Sequence, residues 1–439
     1  MLINILFLIT INEQIPNFAQ KIEHLRRMLY NCNNHKTTYT PPKEMFIANS
    51  IQHSNHIFNC FKQLKLGLFL SDVYLRHLMT MIVSVFLYGY HGKTIDFAKA
   101  SSSHRTTIAH FLNDGKWDSD KLQDILKESV IHVIYHEAMR SGKPIFCIVD
   151  DTIASHTKPS SQAEHPIEAA YFHQSHLKRC RDYGHQAVAV LLSCNGIVLN
   201  YAILLYDKSK SKIQMVQEIA EELPTAPVIS YFLCDSWYTS TKLMDSFIQK
   251  GFYTIGALKT NRIIYPYGKR LKVSEFALIL KEENSKVNLV TVRNREFYVY
   301  RYEGKLNDIE NAVVLLCYPK GAFHQEKTLR VFISTNVALS TQEILDTYTE
   351  RWNIELFFRE SKQKLSLDKY QIRKQTGIER YWLIMSLVHY LCCTCNGKYC
   401  SFEDGYQYWK QTIKEEQVTS VYHAIKNGMS LKQLLALVG

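Results

Sequence analysis

The chain has 439 residues, more than one ordinary compact domain holds, so two or three units are expected. Apolar residues make up 46% and charged residues 21%, which excludes a disordered polar chain and fits a soluble globular protein with a real core. The 52 Lys and Arg against 41 Asp and Glu leave a formal charge of +11, which favours a polyanionic partner, nucleic acid before a membrane surface.

The opening run MLINILFLITI is apolar but has no basic start and no small-residue cleavage site, so it does not read as a signal peptide. It is also well short of the about 20 residues a membrane span needs. Residues 1–58 are otherwise polar and irregular, with Pro16 and Pro41-Pro42, and read as a loosely ordered leader. Residues 59–140 turn helical, with apolar positions three and four apart in LRHLMTMIVSVFLYGY and KLQDILKESVIHVIYHEAM. Inside this region KTIDFAKASSSHRTTIAHFLND outlines a helix-turn-helix whose second segment would offer His104, Arg105, Thr106 and Thr107 to DNA. An ordinary helical hairpin accounts for the same pattern.

From 141 the period changes to that of strands. PIFCIVDDT is a short apolar run ending in two aspartates, Asp150 and Asp151. QAVAVLLSCNGIVLNYAILLYDK reads as a hairpin around Cys194-Asn195-Gly196. A helix, IQMVQEIAEEL, precedes a strand PVISYFLCDSWYTS that ends at Asp235; the helix STKLMDSFIQKG and the strand FYTIGAL complete residues 141–261. Residues 262–335 alternate as further strands (VNLVTV, EFYVYRYEG, NAVVLLCYP, LRVFIST) and read as a β-rich insertion. Residues 336–398 return to helix, with Ser340 or Thr341 as N-cap and Glu343 close behind. Residues 399–439 read as a C-terminal helical region, either a dimer contact or a solvated bundle.

The eleven cysteines have no disulfide-like rhythm, which points to a reducing, intracellular compartment. Cys392, Cys393, Cys395 and Cys400 include a zinc-like C-x-x-C spacing. They end the apolar run YWLIMSLVHYLCC with no second ligand pair, and so read as buried thiols of a core helix.

The stretch YTERWNIELFFRESK, residues 348–362, holds three glutamates. Wound as a helix at about 100° per residue, it gathers Tyr348, Arg351, Glu355, Arg359 and Lys362 into one stripe about 80° wide. Glu350 and Glu360 fall well off that stripe, so a single carboxylate sits among a phenol and three cations. Such a group can be a salt-bridge partner on a solvated face or a hard ligand for Mg²⁺. Aspartates that follow buried strands are costly unless they pair or coordinate, although each could also cap a turn. Two strand-end aspartates and one helical glutamate make up the ligand set of a two-metal phosphoryl-transfer site.

Tyr348, Arg351, Glu355 and Lys362 match the signature Y-(2)-R-(3)-E-(6)-K, and the chain resembles the cut-and-paste DDE transposases of insertion-sequence family four and its relatives. The contexts VDDT, LCDSWYTS and ALKTNR are similar too, as is the run from FISTNVALS onward; the likeness covers about residues 140–395. The resemblance implies an α/β protein with a ribonuclease-H-like catalytic core, interrupted by the β-rich insertion and preceded by the helical DNA-binding region. It implies Asp150, Asp235 and Glu355 as a triad holding two Mg²⁺ ions, with Mn²⁺ as a substitute. Asp151 is the alternative first acid; Thr152, two positions after Asp150, favours Asp150, and neighbours on a strand face opposite ways. Tyr348, Arg351 and Lys362 would hold a phosphate, and Trp352 or another aromatic would stack on an extruded base. Basic residues past Glu355, among them Lys364, Lys369, Arg373 and Lys374, would track the DNA backbone.

The implied activity is binding of terminal inverted repeats as a homodimer, hydrolysis at each end, and joining of the 3′-hydroxyls to target DNA, with a hairpin on the flanking end. It would act in the cytoplasm, at the nucleoid, with no membrane partner. Two rival functions are an inactive end-binding protein or repressor, and a metal-dependent nuclease of the same fold without strand transfer.

Overall fold

The computed structural model describes residues 54–89, 92–99, 104–160, 166–175, 179–307, 309–325, 327–430 and 432–433. The apolar N-terminal run, most of the expected leader, the serine-rich turn before His104 and the final LLALVG lie outside the described residues. The chain divides into two compact units: Met1–Asp118 together with Glu403–Gly439, and Ser119–Phe402.

The first unit is helical. Helix α1 (Asn55–Gln63) begins inside the stretch expected to be leader, because the Ser54 hydroxyl accepts from the Ile57 amide and caps it. Helix α2 (Asp72–Tyr88) is buried along nearly every position from Leu75 to Phe86, as a helix apolar on all sides must be. It stops at Gly89, whose φ of 67° is open to glycine. Two short helices follow, α3 (Thr94–Lys99) and α4 (Arg105–Asn113), at the positions expected of the helix-turn-helix.

The second unit opens with helix α5 (Ser119–Ser141) and is built on one twelve-stranded mixed sheet. Its strands are β1 (Phe146–Ser155), β2 (Tyr171–Ser175), β3 (Cys180–Cys194), β4 (Ile197–Tyr206), β5 (Ser230–Cys234) and β6 (Phe252–Ala257). Helices α6 (Lys212–Glu222) and α7 (Thr241–Ile248) intervene as the sequence predicts. β3 and β4 form the expected hairpin, with Asn195 at φ 49° and Gly196 at φ 83° in its turn. The central order is β4-β3-β1-β5-β6, with β1 antiparallel to β3 but parallel to β5, and β5 parallel to β6.

The expected insertion supplies β7 (Ile263–Ile264), β8 (Leu271–Lys272), β9 (Val287–Val292), β10 (Arg295–Leu306), β11 (Ile309–Pro319) and β12 (Arg330–Ser334). It also contains a helix the strand pattern does not announce, α8 (Val273–Ile279), whose Val273, Phe276 and Ala277 pack with Ile264, Tyr300 and Val314. The insertion is joined to the rest, since β12 pairs antiparallel with β6 and continues the same sheet. β11 is buried on both faces, which explains its unbroken apolar run AVVLLCY.

Helix α9 (Thr341–Thr349) opens with the predicted capping box: the Ser340 hydroxyl accepts from the Glu343 amide and the Glu343 carboxylate accepts from the Ser340 amide. Helix α10 (Trp352–Lys364) then starts afresh after a tight turn at Glu350–Arg351, so the single expected helix is two. The amides of Arg351, Asn353 and Ile354 reach back three residues instead of four, which tightens the chain there. Ile354 and Phe357 of α10 and Ile344 of α9 pack on Ile148, Leu233, Ile255 and Leu315. Helix α11 (Gln375–Cys393) is the buried run around YWLIMSLVHYLCC. The last helix, α12 (Phe402–Lys426), returns the chain to the first unit, where the Tyr406 hydroxyl donates to the Val85 carbonyl (3.0 Å). Among the described residues no helix is long and apolar enough to cross a membrane.

Candidate active site

Asp150 is not at the end of its strand, as the sequence pattern predicts. β1 pairs with β3 as far as Ser155, whereas its parallel pairing with β5 stops at Val149 opposite Cys234. Asp150 and Asp235 are thus each the next residue after the last parallel pair, and they sit side by side where the two strands part.

The side chains of β1 alternate faces. Asp150 and Thr152 face α10; Asp151 faces the other way. The Arg351 guanidinium, one residue before α10, donates through Nη1 to the Asp150 carboxylate (3.0 Å) and through Nη2 to the Glu355 carboxylate. One cation therefore spans the two acids, and it also lies over the Tyr348 ring at 5.7 Å. Asp235 accepts from the Trp237 amide (2.8 Å), a local turn that orients its carboxylate. Burial, and next the charge of Asp235, push the Asp150 carboxyl up to about 7, while Arg351 pulls the other way. Burial pushes the Tyr348 hydroxyl up to about 12, so it stays protonated at neutral pH.

Lys362 does not project into solvent. Its ammonium donates to the Thr152 hydroxyl (2.7 Å) and the Ile153 carbonyl (3.3 Å), tying the last turn of α10 to β1. Arg359 and Trp352 are exposed, the indole at 51%. Glu350 accepts from the Asn353 amide group, away from the acids. His104 and Arg105 belong to the first unit: the His104 ring caps α4 through the Thr106 amide, and Arg105 is exposed at its first position.

On the opposite face Asp151 is fully engaged. It accepts from the Gln186 amide group (2.6 Å), the Lys212 ammonium (2.6 Å) and the Tyr238 hydroxyl (3.0 Å). Sequence reasoning misses these partners. Tyr238 sits in the quoted LCDSWYTS but is fully buried, and nothing near Lys212 in the chain marks it as a partner of Asp151, 61 residues earlier. Lys212 also lies over the Trp237 ring at 4.7 Å, and Lys259 at 5.0 Å, so the indole, 53% exposed, carries two cations.

Among the described residues no three His, Cys, Asp or Glu side chains stand close enough together to share a metal ion. The donors fit a hard divalent cation in kind: Asp150, Asp235 and Glu355 are all carboxylates, and Arg351 already bridges two of them as a positive charge would.

The arrangement sets Asp150 beside Asp235 and links Asp150 to Glu355 through the Arg351 guanidinium, a cation that can also neutralise and orient phosphate oxygens. A family model described as the transposase DDE domain matches residues 141–391, more than half the chain and wholly inside the second unit. No curated protein matches. The chain belongs to the DDE-domain transposase family.

Proposed function

We propose that this transposase binds the terminal inverted repeats of its own element as a homodimer, cuts the phosphodiester at each end and joins the freed 3′-hydroxyls to target DNA. The reading follows the cut-and-paste course of insertion-sequence family four, with a hairpin on the flanking end. It acts where the chromosomal DNA is, in the cytoplasm. Its core is ribonuclease-H-like; the strand order β4-β3-β1-β5-β6, in which β3 alone runs antiparallel to the other four, supports this. The observation that carries the reading is the run of contacts from Asp150 through Arg351 to Glu355, with Asp235 beside them, inside the matched domain.

Asp150, Asp235 and Glu355 would hold Mg²⁺, with Mn²⁺ as a substitute. When bound, such ions charge-stabilise the attacking and leaving oxygens of the phosphodiester. The chain's own part is positioning and neutralisation. Arg351, with Tyr348 beneath it, moves from the carboxylates to a phosphate of the transposon end. Lys362 holds α10 at a fixed height over β1, so that Glu355 and Arg351 keep their spacing. Trp352 stacks on an extruded base. In the first unit, His104 and Arg105 at the start of α4 read the end sequence, while Arg359 adds charge along the backbone.

The test is cleavage of a duplex carrying the element's end in Mg²⁺ or Mn²⁺. Glu355→Gln is expected to retain the DNA and leave it uncut; cutting at the wild-type rate would remove Glu355 from the site. A repressor would retain the same DNA without nicking it in the wild type, and a simple nuclease would yield no joined molecules.

A further inference from the structure

The cysteines at the end of α11 are not used by the reaction, and two of them make a pair. The Sγ atoms of Cys395 and Cys400 are 3.0 Å apart, closer than a relaxed contact between sulfurs. The turn between them is closed by backbone hydrogen bonds, from the Lys398 amide to the Cys395 carbonyl (3.1 Å) and from the Cys400 amide to the Cys393 carbonyl (3.2 Å). Gly397, at φ 65°, lets the chain double back. Cys395 is 8% exposed and Cys400 is more accessible, so an oxidant reaches Cys400 first. Cys392 and Cys393 stay buried on the helix. No described His, Asp or Glu completes a metal site with these thiols.

We propose that Cys395 and Cys400 are a redox-convertible pair that closes to an intramolecular disulfide in the presence of a peroxide. The Cys400 thiolate attacks one peroxide oxygen and the O–O bond breaks, giving a sulfenic acid and a hydroxide that takes up the proton the thiol released, forming water. The Cys395 thiol then attacks the Cys400 sulfur; the S–S bond forms as the sulfenic oxygen leaves as a second water. Two thiols are oxidised and one peroxide is reduced. The bond would staple the short segment through which the chain leaves α11 and enters α12.

The test uses the full chain treated with hydrogen peroxide, alkylated, and digested with trypsin without reduction. Because Lys398 lies between the two cysteines, a disulfide should join the peptide ending at Lys398 to the one beginning at Tyr399, with the loss of two hydrogen masses. Dithiothreitol should separate them. Cys395→Ser should abolish the joined species; Cys392→Ser and Cys393→Ser should not. Exposed Cys180 serves as the internal reference for a thiol that is merely oxidised. The proposal is overturned if Cys400 advances to sulfinic acid while Cys395 remains alkylatable, or if the joined species persists in Cys395→Ser because Cys400 has bonded to Cys392 or Cys393. Fragmentation of the wild-type joined species, which identifies whether Cys392, Cys393 or Cys395 is bonded to Cys400, decides between these outcomes whether or not a variant folds.

Discussion

Asp150 and Asp151 are consecutive residues of one strand, with the same side chain and opposite surroundings. Asp151 has three donors within 3.0 Å, among them a lysine whose side chain is only 12% exposed. Asp150 has one shared guanidinium, the Asp151 amide and a like charge beside it. A carboxylate held by three donors, one of them a largely buried cation, holds a structure together. One that is crowded by another carboxylate and shares a guanidinium with a third keeps capacity for a further positive group. That contrast favours Asp150 as the first acid, and it can be broken or sharpened by measurement.

The largest effect should come from Asp150→Asn, with end cleavage falling about a thousandfold while the unfolding midpoint in urea stays near that of the wild type. Retained cleavage would move the chemistry to the other face. Asp151→Asn should instead show in stability, a loss of about 3 kcal/mol in urea unfolding, because Lys212 is left buried without its carboxylate. Lys212→Met in the same chain should recover part of that loss; no recovery would mean the pair does not act as a unit.

A third measurement follows the Asp150 face to its far end. His185 lies opposite Ala154, fully buried, with the Tyr370 hydroxyl on Nδ1 (2.8 Å) and the Glu168 carbonyl on Nε2 (2.9 Å). A carbonyl only accepts, so Nε2 carries the hydrogen and the neutral ring accepts from Tyr370. Burial holds this imidazole down at about 4. The unfolded chain binds the proton first, so the contribution is complete above pH ~6.5 and is lost as pH falls towards 4. Between pH 7.5 and 5 the unfolding free energy should drop by roughly 2 kcal/mol from this group. A flat profile there would mean that the ring is not held neutral. The smallest effect expected is at Arg351. Without DNA, Arg351→Gln should tighten Mn²⁺ binding about tenfold, since ~1.4 kcal/mol of competing attraction is removed. Unchanged affinity would show that the guanidinium does not stand in for a cation.

Local signals made much of this legible in the sequence. The Asn195-Gly196 turn, the Ser340–Glu343 capping box and the i,i+4 spacing of Arg351 and Glu355 each depend on residues a few positions apart, and each has its expected geometry. The two-faced burial of β11 also follows from its composition. What escaped depends on distance along the chain. The partners of Asp151 come from β3, from α6 and from the turn after β5, and Lys362 meets Thr152 across 210 positions. The turn at Glu350–Arg351 escaped for another reason: both residues keep helical dihedrals, so the periodicity runs through a point where the hydrogen bonds shift from four residues to three.

The pairing of Phe332, Ile333 and Ser334 with Ala257, Gly256 and Ile255 has a mechanical consequence. Because that seam is made of backbone hydrogen bonds, the insertion is not a hinged flap but a stiff extension of the plate that bears the acids. A load placed on its outer strands is transmitted through β6 to β5, and so to the point where Asp235 stands. Cutting the insertion away would leave the edge of β6 bare, an adhesive border open to other chains.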